Sequence, residues 1–192
     1  MSAPKPLTKG EKRKAEVLRV ARAHLIAKGY DAFSMREVAT ELGTKIGHIQ
    51  YYFPSRTDLF EALIREEFED DLESIEEIKR TTKLPKAALE KVTKMLLRNW
   101  TTDGARIYAL MSFLAMHDAK FGKIKSQIYK QFHTIIEDLI CEVRGCEASQ
   151  ETRTDARLVT AVMDGALLQQ TPDNPLTNAI IANVLNIAVG ET

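Results

Sequence analysis

Residues 43–60, GTKIGHIQYYFPSRTDLF, decide how this chain is read. A glycine opens the stretch and Pro54-Ser55 closes it. Between them lie a lysine, a histidine, a glutamine and two adjacent tyrosines, with Ile46, Ile49 and Phe53 as the apolar members. At roughly 100° per residue, a helix that rests Ile49 on a core turns Ile46, Phe53 and part of Tyr52 inward. Thr44, Gly47 and Tyr51 then face outward, flanked by His48 and Gln50. The alternative, that the tyrosines are core aromatics, is stronger for Tyr52, at a half-buried angle, than for Tyr51.

The residues just upstream frame that helix. Ser34-Met-Arg-Glu37 has the spacing of a capping box, and its helix ends at Gly43. Ala39 is a small residue where two helices can cross, Gly43 sits in the turn, and Val38, Leu42 and Ile49 lock the second helix onto the first. Together they predict a helix-turn-helix, whose outward face suits a DNA groove. Gly47 lets the backbone come close, Gln50 and His48 can bond base edges, and Tyr51 can reach a phosphate or a thymine methyl. Lys45, at the helix's positive pole, suits a phosphate.

Further out, Val17, Leu18, Ala21, His24 and Leu25 repeat at helical spacing up to Gly29. Residues 1–10, with Pro4 and Pro6, are expected to be a flexible arm, and 11–56 the helix-turn-helix domain. Downstream, Ser55-Arg-Thr-Asp58 predicts another cap, from which a long helix carries Leu59, Phe60, Leu63, Ile64, Phe68, Leu72, Ile75 and Ile78 on one side. Helical patterns continue from Pro85, through Ile107–Met116 and Phe121–Val143, to Ala156–Gln170 and Leu176–Val189. The expectation is an all-α chain: a three-helix head plus a larger helical domain over 57–192.

Charge is unevenly spread. The formal net charge is zero, with 27 Lys and Arg against 27 Asp and Glu. Yet residues 1–56 hold 11 basic and 5 acidic side chains, a balance of +6 by subtraction, and 57–77 hold 10 acidic side chains against Arg65 alone. A polyanion is drawn to the first segment and repelled by the second.

Composition, 44% hydrophobic and 28% charged, is that of a globular protein, with no signal-like or membrane-spanning run, so a cytoplasmic location is expected. Cys141 and Cys146 are too few for a disulfide framework or a zinc site and read as reduced thiols; no cofactor or metal is expected. There is no phosphate-cradling glycine loop or nucleophile elbow, and His24, His48, His117 and His133 are dispersed, which argues against an enzyme.

Residues 11–63 resemble the DNA-binding head of the TetR (tetracycline-repressor) family of bacterial transcription regulators. The likeness rests on GYDAFSMREVATELG (29–43), Gly47, IQYYFPSRTDL (49–59) and the long helix that follows; RLVTAVMDGALLQQ (157–170) is similar to the family's penultimate helix. The resemblance implies a homodimer on a palindromic operator, a repressor released when a small molecule enters the C-terminal domain. Ser34 and Arg36 would meet phosphates, and Thr44, Lys45, Gly47, His48, Gln50, Tyr51 and Tyr52 would form or border the recognition surface. Arg56 would be a phosphate-binding residue at the start of the fourth helix. The chain departs from the family where valine then serine often follow the turn glycine, here Thr44 and Lys45, and where Gln50 replaces a frequent tyrosine.

Two further expectations concern the C-terminal domain. The last two helices are apolar on more than one side, so Leu158, Val162, Gly165, Ala166, Ile180, Val184 and Ile187 are assigned to a dimer interface, against the alternative of burial within one chain. Asn99, Trp100, Tyr108, Met111, Ser112, Met116, Phe132, His133 and Met163 are assigned to the lining of an effector cavity, against the alternative that most are plain core. The long acidic helix is expected to link that cavity to the head. The rival to a DNA-binding regulator is a helical adaptor or interaction protein without specific DNA binding.

Overall fold

The computed structural model describes residues 8–99, 103–169 and 176–191. Among them run α1 (Lys9–Ala32), α2 (Met35–Glu41), α3 (Ile46–Tyr52), α4 (Arg56–Thr81), α5 (Pro85–Asn99), α6 (Gly104–His117), α7 (Ala119–Arg144), α8 (Gln150–Gln169) and α9 (Leu176–Val189). The described residues contain no strand, and no helix is long and apolar enough to cross a membrane. Two compact units divide at Glu66 and Glu67.

In the head, α1 starts inside the stretch expected to be a flexible arm. Thr8 and Glu11 form a reciprocal capping box: the Thr8 hydroxyl accepts from Glu11 N–H at 3.2 Å, and the Glu11 carboxylate accepts from Thr8 N–H at 2.7 Å. Glycine 29, at φ +77°, breaks the helical path, a conformation that a side chain would strain. The expected box at Ser34 is absent, because Ser34 makes no side-chain cap bond and Glu37 turns back to Lys28 at 2.9 Å. Instead α2 is defined by its far end. Thr44 N–H bonds Ala39 C=O and Gly43 N–H bonds Thr40 C=O, the paired bonds of a Schellman turn, with Gly43 at φ +59°.

The start of α4 belongs to the head. Ser55 and Asp58 cap it reciprocally, as the spacing predicted. Phe60 then packs against Tyr30 and Phe33, with ring centroids 5.1 and 4.9 Å away. Leu59, Leu63 and Ile64 are buried beside it, together with Val17, Val20, Ala21, Val38, Ala39, Ile49 and Phe53.

The C-terminal unit is built around α7, which packs against α5, α6, α8 and α9; α9 also lies on α5 and α8. Phe68 stacks near Tyr108 and Phe132, at 4.4 and 5.7 Å. One guanidinium closes the end of α9: Arg144 donates to the carbonyls of Ile187 and Ala188, at 2.7 and 3.0 Å, and pairs with Asp155 of α8 at 2.5 Å. Orphan carbonyls at a helix end are costly unless a donor reaches them.

This packing corrects part of the interface expectation. Ala166, Ile180, Val184 and Ile187 are buried by the chain itself, Val184 completely, so they have little or no area left for a second copy. The apolar side of α9 is covered by α5, α7 and α8, while Ala179, Ala182, Asn183 and Asn186 leave its other face exposed. Leu158, 44% exposed, and half-buried Val162 and Gly165 remain on the surface of α8.

Candidate nucleic-acid interface

Helix α3 meets its core through one residue above all. Ile49 is fully buried, Phe53 nearly so, and Ile46 and Tyr52 are half-buried, as the periodicity requires. On the other side Lys45, Gly47, His48, Gln50 and Tyr51 are exposed, with Tyr51 at 80%. The Tyr51 ring stands edge-on to Tyr52, centroids 5.0 Å apart, which steadies a side chain that otherwise projects from the head.

Thr44 and His48 act as a pair. The Thr44 hydroxyl lies 2.7 Å from His48 Nδ1. When that hydroxyl donates, the imidazole proton sits on Nε2, and the ring offers an N–H to an acceptor such as guanine N7 or a phosphate oxygen. Thr44 is half-buried, so it orients His48 and presents little surface of its own. Lys45 takes the N-cap position of α3 without making a side-chain cap bond, leaving its ammonium exposed beside the helix N-terminus.

Carboxylates nearby are already engaged. Glu37 pairs with Lys28, and Glu41 lies 2.6 Å from His24 Nε2, both on α1. These contacts tie α2 to α1 and draw two negative groups away from the exposed cations of α2 and α3. Arg36 is exposed on α2, while Ser34 at its N-cap is half-buried.

Arg56 departs from its expected role. Its guanidinium donates to Tyr30 C=O and lies over the Tyr30 and Phe60 rings, at 4.2 and 5.1 Å. A planar cation between aromatic faces packs the head together, so its position in the fold is that of a clamp rather than a free phosphate contact. Conversely, a basic ledge was missed. Lys9, Lys12 and Arg13 line an open groove of about 690 Å³ that also reaches Tyr52 on α3, with Glu16 beside them paired to Arg13 at 2.6 Å. Their three- and four-residue spacing places them on one face of α1, which begins at Lys9, inside the segment expected to be an arm.

The effector-cavity residues do not form a common lining. Tyr108, Met111, Phe132 and Met163 are buried core; Met116 is 75% exposed at the end of α6, where it cannot face a central cavity. Asn99 donates to Asp71 at 2.9 Å, and Ser112 accepts from Lys125 at 3.3 Å. His133 lines a surface cleft, and Trp100 lies outside the described residues.

Residues 17–63 match the profile of the bacterial regulatory proteins, tetR family. The chain is 27% identical over 164 residues to the HTH-type transcriptional dual regulator CecR of Shigella flexneri, covering 78% of this chain and 72% of that protein. Its fold is similar to that of a TetR transcription regulator from Haloarcula marismortui, with a TM-score of 0.80 at 18% identity, over 93% of this chain and 97% of the other. A transcriptional regulator from Saccharomonospora viridis, described as putative and in complex with choline, matches at a TM-score of 0.78 and 18% identity, over 94% and 97%.

Proposed function

The chain belongs to the tetR family of bacterial regulatory proteins, and from that premise we propose that it is a ligand-responsive repressor that binds a palindromic operator as a homodimer in the cytoplasm. The observation that carries the reading is the orientation of α3: Ile49 fully buried behind, Tyr51 80% exposed in front. That is the presentation a recognition helix needs to enter a major groove.

Roles follow from reach and chemistry. Gln50 and His48 read base edges, Tyr51 contacts a phosphate or a thymine methyl, and Gly47 admits the groove wall close to the helix axis. Lys45 and Arg36 neutralise phosphates, joined by Lys9 and Lys12 along the ledge of α1. Ser34 and Tyr52 border the surface. Two heads related by a two-fold axis would address half-sites about 34 Å apart. On α8, exposed Leu158, Ala161 and Leu168 with half-buried Val162 and Gly165 form the apolar face available to a second copy. The choline complex of the Saccharomonospora viridis protein is a precedent for a small ligand on this fold. A ligand releases DNA here by binding more tightly to the dimer state whose heads do not fit the operator.

Selection of bound sequences from random DNA, followed by anisotropy titration at several salt concentrations, tests the proposal. A regulator yields a two-fold-symmetric consensus, and affinity falls steeply with salt. Recovery of no consensus, with weak and sequence-blind binding, refutes it in favour of the adaptor.

A further inference from the structure

The C-terminal unit holds a cluster of charge that DNA binding does not use. A cleft of about 420 Å³ between α7 and α8 is lined by Tyr129, Lys130, His133 and Glu137 from one helix and by Arg153 and Arg157 from the other, with the Ser126 and Thr134 hydroxyls beside them. On α7 these residues recur at three- and four-residue steps, and Arg153 and Arg157 are four apart on α8, so both helices turn a continuous polar face to the cleft.

Three cations line this cleft with one carboxylate, and that carboxylate is committed. Glu137 accepts from the Thr152 hydroxyl at 2.9 Å and lies 3.6 Å from Arg153 Nε. Among the described residues Lys130 and Arg157 have no carboxylate partner. Burial and the charge of Arg157 both hold the His133 proton affinity below its ordinary value, which leaves the ring neutral near pH 7. The floor is fixed: the Tyr129 hydroxyl donates to Asp164 at 2.6 Å, and its ring packs edge-on to His133, centroids 5.9 Å apart. Lys130 and Arg157 are both solvent-exposed on the walls of the cleft, and Lys130 also borders a groove shared with Glu76 of α4, so an anion in the cleft meets positive charge from two helices.

We propose that the cleft between α7 and α8 binds a small dianion, a phosphate monoester or a dicarboxylate, with Lys130 and Arg157 as the charged clamps and His133 as an N–H donor. Two negative charges match the two cations that have no carboxylate partner among the described residues. The guanidinium of Arg157 offers a fork suited to two oxygens of a phosphate or carboxylate, and Lys130 supplies a point charge from the facing helix. The site is independent of the head, so it stands or falls without reference to operator binding.

Calorimetry on the full chain without DNA tests it, using inorganic phosphate and succinate as probes at constant ionic strength. The expected result is saturable one-to-one binding with a dissociation constant on the order of 1 mM or tighter for at least one probe. Lys130→Ala and Arg157→Ala each weaken it by about tenfold or more. Lys45→Ala, on the head, leaves it unchanged. The His133 ring resonances shift on addition of the probe, while those of His24 stay in place. A tighter constant for phosphate or for succinate identifies the source of the dianion. No saturable heat up to about 10 mM of either probe overturns the proposal, as does binding that survives both cleft variants or that disappears in Lys45→Ala.

Discussion

Gly47→Ala separates what the fold needs from what DNA binding needs. Gly47 lies in the first turn of α3, is exposed, and has no positive φ; a Cβ built on it meets nothing within 4 Å. The free protein therefore has no steric use for a glycine there. Alanine is the better helix former by about 0.8–1 kcal/mol in a helix interior, and roughly half of that is expected in a first turn. The variant should gain about 0.5 kcal/mol, a rise in Tm of about 1–2 °C for a chain of this size. Bound to an operator, the added methyl stands between the α3 backbone and the groove wall. Overpacking of a close contact costs about 1–3 kcal/mol, a loss of about 5- to 150-fold in affinity for each half-site, compounded over the two heads of the dimer. Differential scanning calorimetry reads the first effect and anisotropy with the selected operator the second. Unchanged operator affinity in Gly47→Ala would mean that α3 does not approach the duplex at this point. A fall in Tm would mean that the glycine serves the fold after all.

Four other perturbations test neighbouring parts of the reading. Tyr51→Ala should weaken operator binding at least about tenfold with no change in thermal stability, since the ring is mostly solvent-exposed. Lys45→Ala should lower affinity for all sequences alike and reduce the slope of log K against log salt by about 0.9 per subunit, about 1.8 for the dimer, measured by titration across salt concentrations. Ile49→Ala should destabilise the head by about 2–5 kcal/mol in urea denaturation, because a fully buried isoleucine leaves a cavity in a small core. Burial holds the Asp164 carboxyl above its ordinary range, opposed by the Tyr129 hydrogen bond and Lys125. A raised folded-state pKa stabilises most below the unfolded value and loses that contribution as pH rises through the folded one. Asp164→Asn, which keeps an acceptor for Tyr129, should therefore gain in Tm relative to the parent as pH increases from about 4, and a constant difference across the range would contradict that assignment.

Much of the candidate interface was legible because it depends on helical period and local turn chemistry. The buried positions of Ile49 and Phe53, the exposed Gly47 and Tyr51, and the reciprocal cap of Ser55 and Asp58 are set within a few residues along the chain. Arg56 shows where that reasoning stops. Its sequence position marks the start of α4, next to exposed cations, but its contact is with Tyr30, a residue on α1 that no local pattern links to it. Similarly, Ser34 and Glu37 have capping spacing, yet Lys28 reaches Glu37 first.

The sequence by itself determined the helical order, the turn at Gly43, the periodic faces of α3 and α4, and the concentration of basic residues before Arg56. These follow from backbone sterics and from side-chain repeats of three and four residues, which act locally. Only the tertiary structure decided which apolar faces already have partners and which charges do. Val184 and Ile187 are covered by their own unit, Arg56 is held by aromatic rings, and Lys130 and Arg157 line one cleft whose carboxylate, Glu137, is engaged by Thr152 and Arg153. Burial and pairing are properties of residues brought together from distant parts of the chain, and helical periodicity carries no record of them.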